Sequence, residues 1–126
     1  MQNLNYNIYN EIALKGMKMP DIAVYNTPSY GQCGEDLIVA ALLRSFAITE
    51  QLDVRAQTYL EIGGNHPLAC SATYLLHTQL GMTGVLVEAN PDLIEALERF
   101  RPDDRVVHAA VVATDQATVP LYVANQ

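Results

Sequence analysis

The chain of 126 residues has no tryptophan, two cysteines, two phenylalanines and only seven basic residues. Each shortage excludes something. Two cysteines, Cys33 and Cys70, are too few for a disulfide scaffold and lack zinc-type spacing, so a reducing cytoplasmic setting is expected. Seven Lys and Arg against fourteen Asp and Glu give a formal charge of −7. Arg99, Arg101 and Arg105 are interleaved with Glu98, Asp103 and Asp104, so no basic patch forms. Such a surface repels phosphate backbones and anionic lipid, which argues against nucleic-acid and membrane partners. The strongly apolar run around Ile38 to Leu43 falls far short of the roughly 20 residues that span a bilayer. The opening MQNLNYNIYN has neither the charged nor the apolar region of a secretory signal. His66, His77 and His108 show no metal-ligand spacing, and no metal site is expected.

What is present is the make-up of one globular domain: half the residues are apolar and 17% are charged. Residues 1–30 are polar and dotted with tyrosines, and they read as an N-terminal arm on a main body of residues 31–126. From Glu35 to about Gln51, Ile38, Leu42 and Phe46 recur every four residues with Ala41 on the same stripe. That spacing predicts a helix with these residues and Leu37 in the core. Strands and helices then alternate. Thr58–Ile62 is a β-rich run ending in Gly63-Gly64. Ser71 is placed to cap a short helix carrying Leu75, Leu76 and Leu80, which Gly81 stops. Gly84–Glu88 is a continuous apolar strand, as a buried parallel strand should be. Asn90-Pro91 opens a helix with Leu93, Leu97 and Phe100 inward and a Glu95–Arg99 pair outward. Arg105 to Val112 predicts a third strand. Val119 to Val123 predicts a last one, which Pro120 confines to an edge. Cys70 is expected to be a small buried filler. Right-handed crossovers make the three core strands parallel in the spatial order 3-2-1, an α/β Rossmann-like half sheet.

The chemistry concentrates at two strand ends. In open α/β sheets ligands bind beyond the carboxyl ends of the strands. The loop Glu61-Ile-Gly63-Gly64-Asn65-His66-Pro67 follows the first strand, where glycines admit a ligand close to the backbone and a helix start offers free N–H groups. Glu88 ends the second strand, where a carboxylate can accept both hydroxyls of an adenosine ribose. A dinucleotide site wants G-x-G-x-x-G; in register on Gly63 this chain has Asn65 and Leu68 instead, which degrades the pyrophosphate cradle and disfavours NAD. S-adenosylmethionine carries no phosphate. Its amino-acid end needs an acid for the ammonium and helix-start donors for the carboxylate, a demand that Glu61 and residues 64–73 meet better.

Four motifs in order, Tyr30-Gly-Gln32-Cys-Gly-Glu35-Asp36-Leu-Ile, Tyr59-Leu-Glu61-Ile-Gly63-Gly-Asn65-His66-Pro67, Ser71-Ala-Thr73-Tyr74-Leu and Gly84-Val-Leu-Val-Glu88-Ala-Asn90-Pro91, resemble the FkbM family of class I methyltransferases. The resemblance runs over roughly residues 29–126 and implies a class I methyltransferase fold, incomplete here relative to the family. It also implies S-adenosylmethionine as donor and a hydroxyl of a sugar or natural product as acceptor. By position it implies that Glu61, Gly63, Gly64, Asn65 and His66 line the methionine end, with Thr73 near its carboxylate. Glu88, with Ala89 and Asn90, would hold the ribose, and Gln32, Glu35 and Asp36 would close over the site. The departures are Gly64, where the family often has alanine, and Pro67, where many members have glycine. No general base is assigned. The first strand lacks a sequence-adjacent neighbour on one side, so either a longer chain or a homodimer is expected to cover that edge. The alternative to an enzyme is a non-catalytic module, derived from a methyltransferase half domain, that binds an adenosyl ligand or a protein.

Overall fold

A computed structural model describes residues 28–114 and 117–122. In chain order it contains α1 (Glu35–Thr49), a 3-10 turn (Val54–Ala56), β1 (Thr58–Ile62), α2 (Tyr74–Leu80), β2 (Thr83–Glu88), α3 (Pro91–Phe100) and β3 (Arg105–His108). The strands form one open parallel sheet in the order β1-β2-β3, with Leu60 beside Val85 and Val85 beside Arg105. This is the α/β alternation and strand order that the sequence predicts. The expected N-terminal arm lies outside the described residues except for residues 28–30. No helix among the described residues is long and apolar enough to cross a membrane.

Local signals set most boundaries. Gly81 takes the left-handed conformation (φ 66°, ψ 24°) that ends α2. Asn90 accepts the Asp92 amide through its side chain and Pro91 occupies the first helical position of α3. Pairing register puts Tyr59, Glu61, Leu86 and Glu88 on one face of the sheet. The core forms there from Ala40, Leu75, Leu76 and Met82, with Tyr30, Leu43, Val54, Tyr59 and Leu80 packed against it. Leu97 of α3 and Leu86 are also buried. The opposite face presents Leu60 and Ile62, which are 62% and 59% exposed. Among the described residues β1 pairs only with β2, so its other edge is bare.

Several expectations need correction. The stripe of Leu37, Ile38, Ala41, Leu42 and Phe46 is not the buried face of α1: all five are exposed, whereas Asp36 and Ala40 are buried and Leu43 is half-buried. Two forces turn the helix. Asp36 is tied by hydrogen bonds to Ser29 and Tyr30, and the small Ala40 lets α1 approach Leu75 and Leu76 closely. Phe100 points outward because Leu97 and Arg101, one turn apart, take the inward line of α3. Arg99 lies over the Phe100 ring (5.6 Å) instead of making the expected pair with Glu95.

β3 stops at His108, not Val112, because β2 ends at Glu88, where Asn90 starts α3; one further bond, from the Ala109 amide to the Glu88 carbonyl (2.9 Å), closes the pairing. Residues 119–122 form no strand, as Pro120 lacks a donor and Leu121 and Tyr122 are exposed; Val123 lies outside the described residues. Cys70 is exposed rather than buried, on a left-handed residue (φ 59°) of the loop before α2.

The reoriented α1 has a measurable consequence. Leu75→Ala should destabilise by about 2–5 kcal/mol, as truncation of a buried leucine does. Leu42→Ala should stay under about 1 kcal/mol, as for an exposed site. Urea unfolding of both variants decides; equal losses would return Leu42 to the core.

Candidate functional site

The loop from Gly63 to Thr73 bridges β1 and α2, and its shape depends on residues that leave the ordinary helical and extended regions. Gly63 (φ 79°), Asn65 (φ 45°) and Cys70 (φ 59°) are all left-handed. Asparagine tolerates this conformation well, and a cysteine there is strained. A side chain built at Gly63 would meet nothing within 4 Å, so the backbone there is open to a ligand. A Cβ at Gly64 would make only ordinary contact with Leu97 (3.4 Å) and Leu86 (3.6 Å), so the alanine common in the resembling family fits without rearrangement.

Glu88 joins the two strand ends. Its Oε2 accepts the Asn65 amide (2.7 Å) and its Oε1 accepts the Asn90 amide (2.7 Å), while the Gly63 and Gly64 amides both donate to the Val87 carbonyl (2.8 and 3.0 Å). Thus Gly63, Gly64, Asn65, Glu88 and Asn90 come together, with Ala89 between the last two; the Ala89 carbonyl lies 3.1 Å from the His108 ring. His66 turns into its own loop, where Nδ1 accepts the Leu68 and Ala69 amides (3.1 and 2.9 Å). His66 therefore shapes the turn.

Glu61 is committed elsewhere. Its carboxylate is buried and accepts the Ser71 hydroxyl (3.0 Å), the Ala72 amide (3.0 Å) and the Thr73 hydroxyl. The Tyr74 amide, another helix-start donor, goes to the Ser71 hydroxyl (3.1 Å). Glu61 and Thr73 thus close the loop onto β1 and hold no exposed position for a ligand ammonium or carboxylate. The three N-terminal candidates also build backbone. Glu35 accepts the Gln32 and Cys33 amides (3.0 and 2.7 Å). Asp36 accepts the Ser29 hydroxyl and Tyr30 amide (both 2.7 Å) and the Leu37 amide (3.0 Å). The exposed Gln32 sits in the turn so formed, which reaches α2 through an edge-on contact between the Tyr30 and Tyr74 rings (4.7 Å).

Sequence reasoning missed the group at the centre. Arg101, read as one of several surface charges, is fully buried. Its Nη1 donates to the Pro67 carbonyl (3.1 Å) and Ser71 hydroxyl (3.4 Å); its Nη2 donates to the Tyr59 oxygen (2.7 Å) and Thr73 hydroxyl (3.0 Å) and pairs with Asp104 (2.7 Å). Its Nε is buried without a partner. Asp104 also accepts the Tyr59 hydroxyl and the Gly84 amide (both 2.7 Å). Burial, together with the hydrogen bond to Asp104, pushes the Tyr59 phenol well above its ordinary range against the pull of Arg101, so Tyr59 stays a donor. A signal for this network exists in the sequence: Tyr59 and Glu61 share the inward phase of β1, and a buried carboxylate needs a buried partner. His77, 3.2 Å from the Met82 carbonyl and 3.8 Å from Asp104, is a structural residue at the rim.

Comparison of the chain with protein-family models, curated proteins and solved structures finds no match.

The Asp36 clasp predicts an acid response. Burial alone would raise its pKa, but the Ser29 hydroxyl and the Tyr30, Gly31 and Leu37 amides outweigh it and hold the carboxyl below its ordinary value of 3.8. Stability from a lowered carboxyl is complete above the unfolded pKa and is lost as pH falls through the folded one. Asp36→Asn should therefore cost about 1.5–3 kcal/mol at neutral pH, as loss of hydrogen bonds to a charged group does. The gap to the unsubstituted protein should shrink below pH 3.8. Urea midpoints across that range test it, and a gap independent of pH would contradict it.

Proposed function

We propose that the chain is the donor-binding part of an S-adenosylmethionine-dependent methyltransferase of the FkbM type, with a class I methyltransferase fold. The acceptor in this reading is a hydroxyl on a sugar or natural product. One observation carries it: the Glu88 carboxylate and the open Gly63–Asn65 backbone are joined by a 2.7 Å hydrogen bond, so two carboxyl ends of neighbouring parallel strands meet at one place. Glu88 is as buried as Glu61, at 8% exposed, but each of its oxygens has only one of its two acceptor positions taken, by an amide, and the remaining positions are those that two ribose hydroxyls would have to reach.

Charge separates the candidate ligands. Arg101 is paired with Asp104 inside the protein, so the acids Glu61 and Glu88 set the sign at the strand ends. That sign opposes a pyrophosphate and suits a cationic sulfonium. S-adenosylmethionine supplies a methyl carbon made electrophilic by that sulfonium. In this reading Glu88 binds and orients the ribose, Gly63 and Gly64 keep the backbone clear of the donor, and Asn65 and Asn90 hold Glu88 in place. Glu61 and Thr73 act through the loop they close rather than on the donor directly, and Gln32, Glu35 and Asp36 shape the neighbouring turn. Methyl transfer is an in-line displacement, so alignment of acceptor and donor governs the rate.

A second reading, a non-catalytic adenosyl-ligand or protein-binding module, is favoured by the saturation of Glu61, Ser71 and Thr73 by one another and by Arg101. Isothermal titration separates donor from dinucleotide: S-adenosylmethionine should bind and NAD should not. Glu88→Ala should weaken donor binding about tenfold or more, the scale of losing hydrogen bonds to a charged acceptor. Unchanged affinity in that variant would remove Glu88 from the site. Donor binding without methyl transfer to any hydroxyl acceptor would favour the module.

A further inference from the structure

The proposed donor site lies at the strand ends, yet Arg101, the side chain with the most hydrogen-bond partners among the described residues, belongs to none of the four motifs. Arg101 sits just past α3, anchored by its own amide on the Leu97 carbonyl (2.9 Å). Its guanidinium grips three residues of the loop before α2, at the Pro67 carbonyl and the Ser71 and Thr73 hydroxyls. The same two hydroxyls donate to Glu61. Each hydroxyl is thereby spanned between a fixed cation and a fixed anion, which orients its proton and sets the path of the chain. On its other side the guanidinium is held by Tyr59 of β1 and by Asp104. The rings of Tyr59 and Tyr74 lie 5.8 and 5.6 Å from its central carbon.

Net stability is a weak explanation for such an arrangement. Desolvation of a buried ion pair roughly cancels its attraction, and apolar replacements of similar volume are often neutral or stabilising. What a planar five-donor group supplies is geometry. We infer that Arg101 is a positioning residue for the Gly63–Thr73 loop: it fixes the loop against β1 and so sets the open backbone at Gly63 and Asn65 opposite Glu88. The part about donor affinity rests on the proposed function; the part about loop order stands on the hydrogen bonds alone.

The test uses a double variant, Arg101→Met with Asp104→Asn. It removes both charges while keeping an acceptor for the Gly84 amide and the Tyr59 hydroxyl. Amide hydrogen exchange is read at Ala72 and Tyr74, whose amides bond to Glu61 and Ser71, and at Ala109, whose amide bonds to β2. Exchange at Ala72 and Tyr74 should accelerate about tenfold or more while Ala109 is unchanged, because the loop loses its donors and the sheet does not. Donor affinity by titration should fall by a similar factor. Equal acceleration at all three amides, or none at Ala72 and Tyr74, overturns the inference. If the unsubstituted protein binds no S-adenosylmethionine, the proposed function fails while the exchange comparison still decides the role of Arg101. Should the double variant not fold, Arg101→Lys is read in the same way: Arg101 reaches Pro67 from Nη1 and Thr73 and Asp104 from Nη2, and an ammonium offers its donors from a single nitrogen, so the selective exchange should persist, and full retention of protection at Ala72 and Tyr74 would contradict the inference.

Discussion

A single buried guanidinium organises the end of the sheet where β1 runs into its loop. Arg101 brings together β1, the loop before α2, the end of α3 and the Asp104 turn, and no other described side chain touches all four. Small α/β units have little apolar area to spare. Spending a fully buried position on a cation is therefore informative, since leucine would serve packing better. The arrangement makes sense as specification of one loop conformation among the many that a glycine-containing segment can adopt.

From that constraint the division of labour follows. Glu61 and Arg101 act as opposite jaws on the Ser71 and Thr73 hydroxyls, and Glu88 acts as a second clamp from β2 on Asn65 and Asn90. Gly63 remains clear between the two clamps. The carboxylates that a motif reading places directly on a ligand thus separate into one that shapes the protein, Glu61, and one with acceptor capacity left over, Glu88.

The fold was legible wherever a local rule was enough. The Asn90-Pro91 start, the Gly81 stop and the apolar Gly84–Glu88 run appear where sequence rules put them, and the parallel 3-2-1 order followed from crossover handedness. Legibility failed where a tertiary contact overrode periodicity. Ile38, Leu42 and Phe46 keep perfect helical spacing, yet Asp36 and Ala40 take the inward face because a tethered carboxylate and a close helix contact outweigh a stripe of larger apolar residues. Arg101 was invisible for a similar reason: an arginine among Glu98, Asp103 and Asp104 looks solvated until Tyr59 and Glu61 are seen to need a partner underneath. The loop glycines and Glu88 were found as candidates, but their direct hydrogen bond depends on how β1 and β2 are registered.

In the proposed function an adenosyl donor would bind where the loop after β1 meets the end of β2, at the open Gly63 backbone beside Glu88. Amide chemical-shift mapping during titration with S-adenosylmethionine tests it most directly. Saturable shifts are expected to concentrate at Gly63, Gly64, Asn65, Ala89 and Asn90, with the Arg105–His108 strand little affected. Saturable shifts confined to the exposed face of Leu60 and Ile62, or none at the glycine loop, would contradict it.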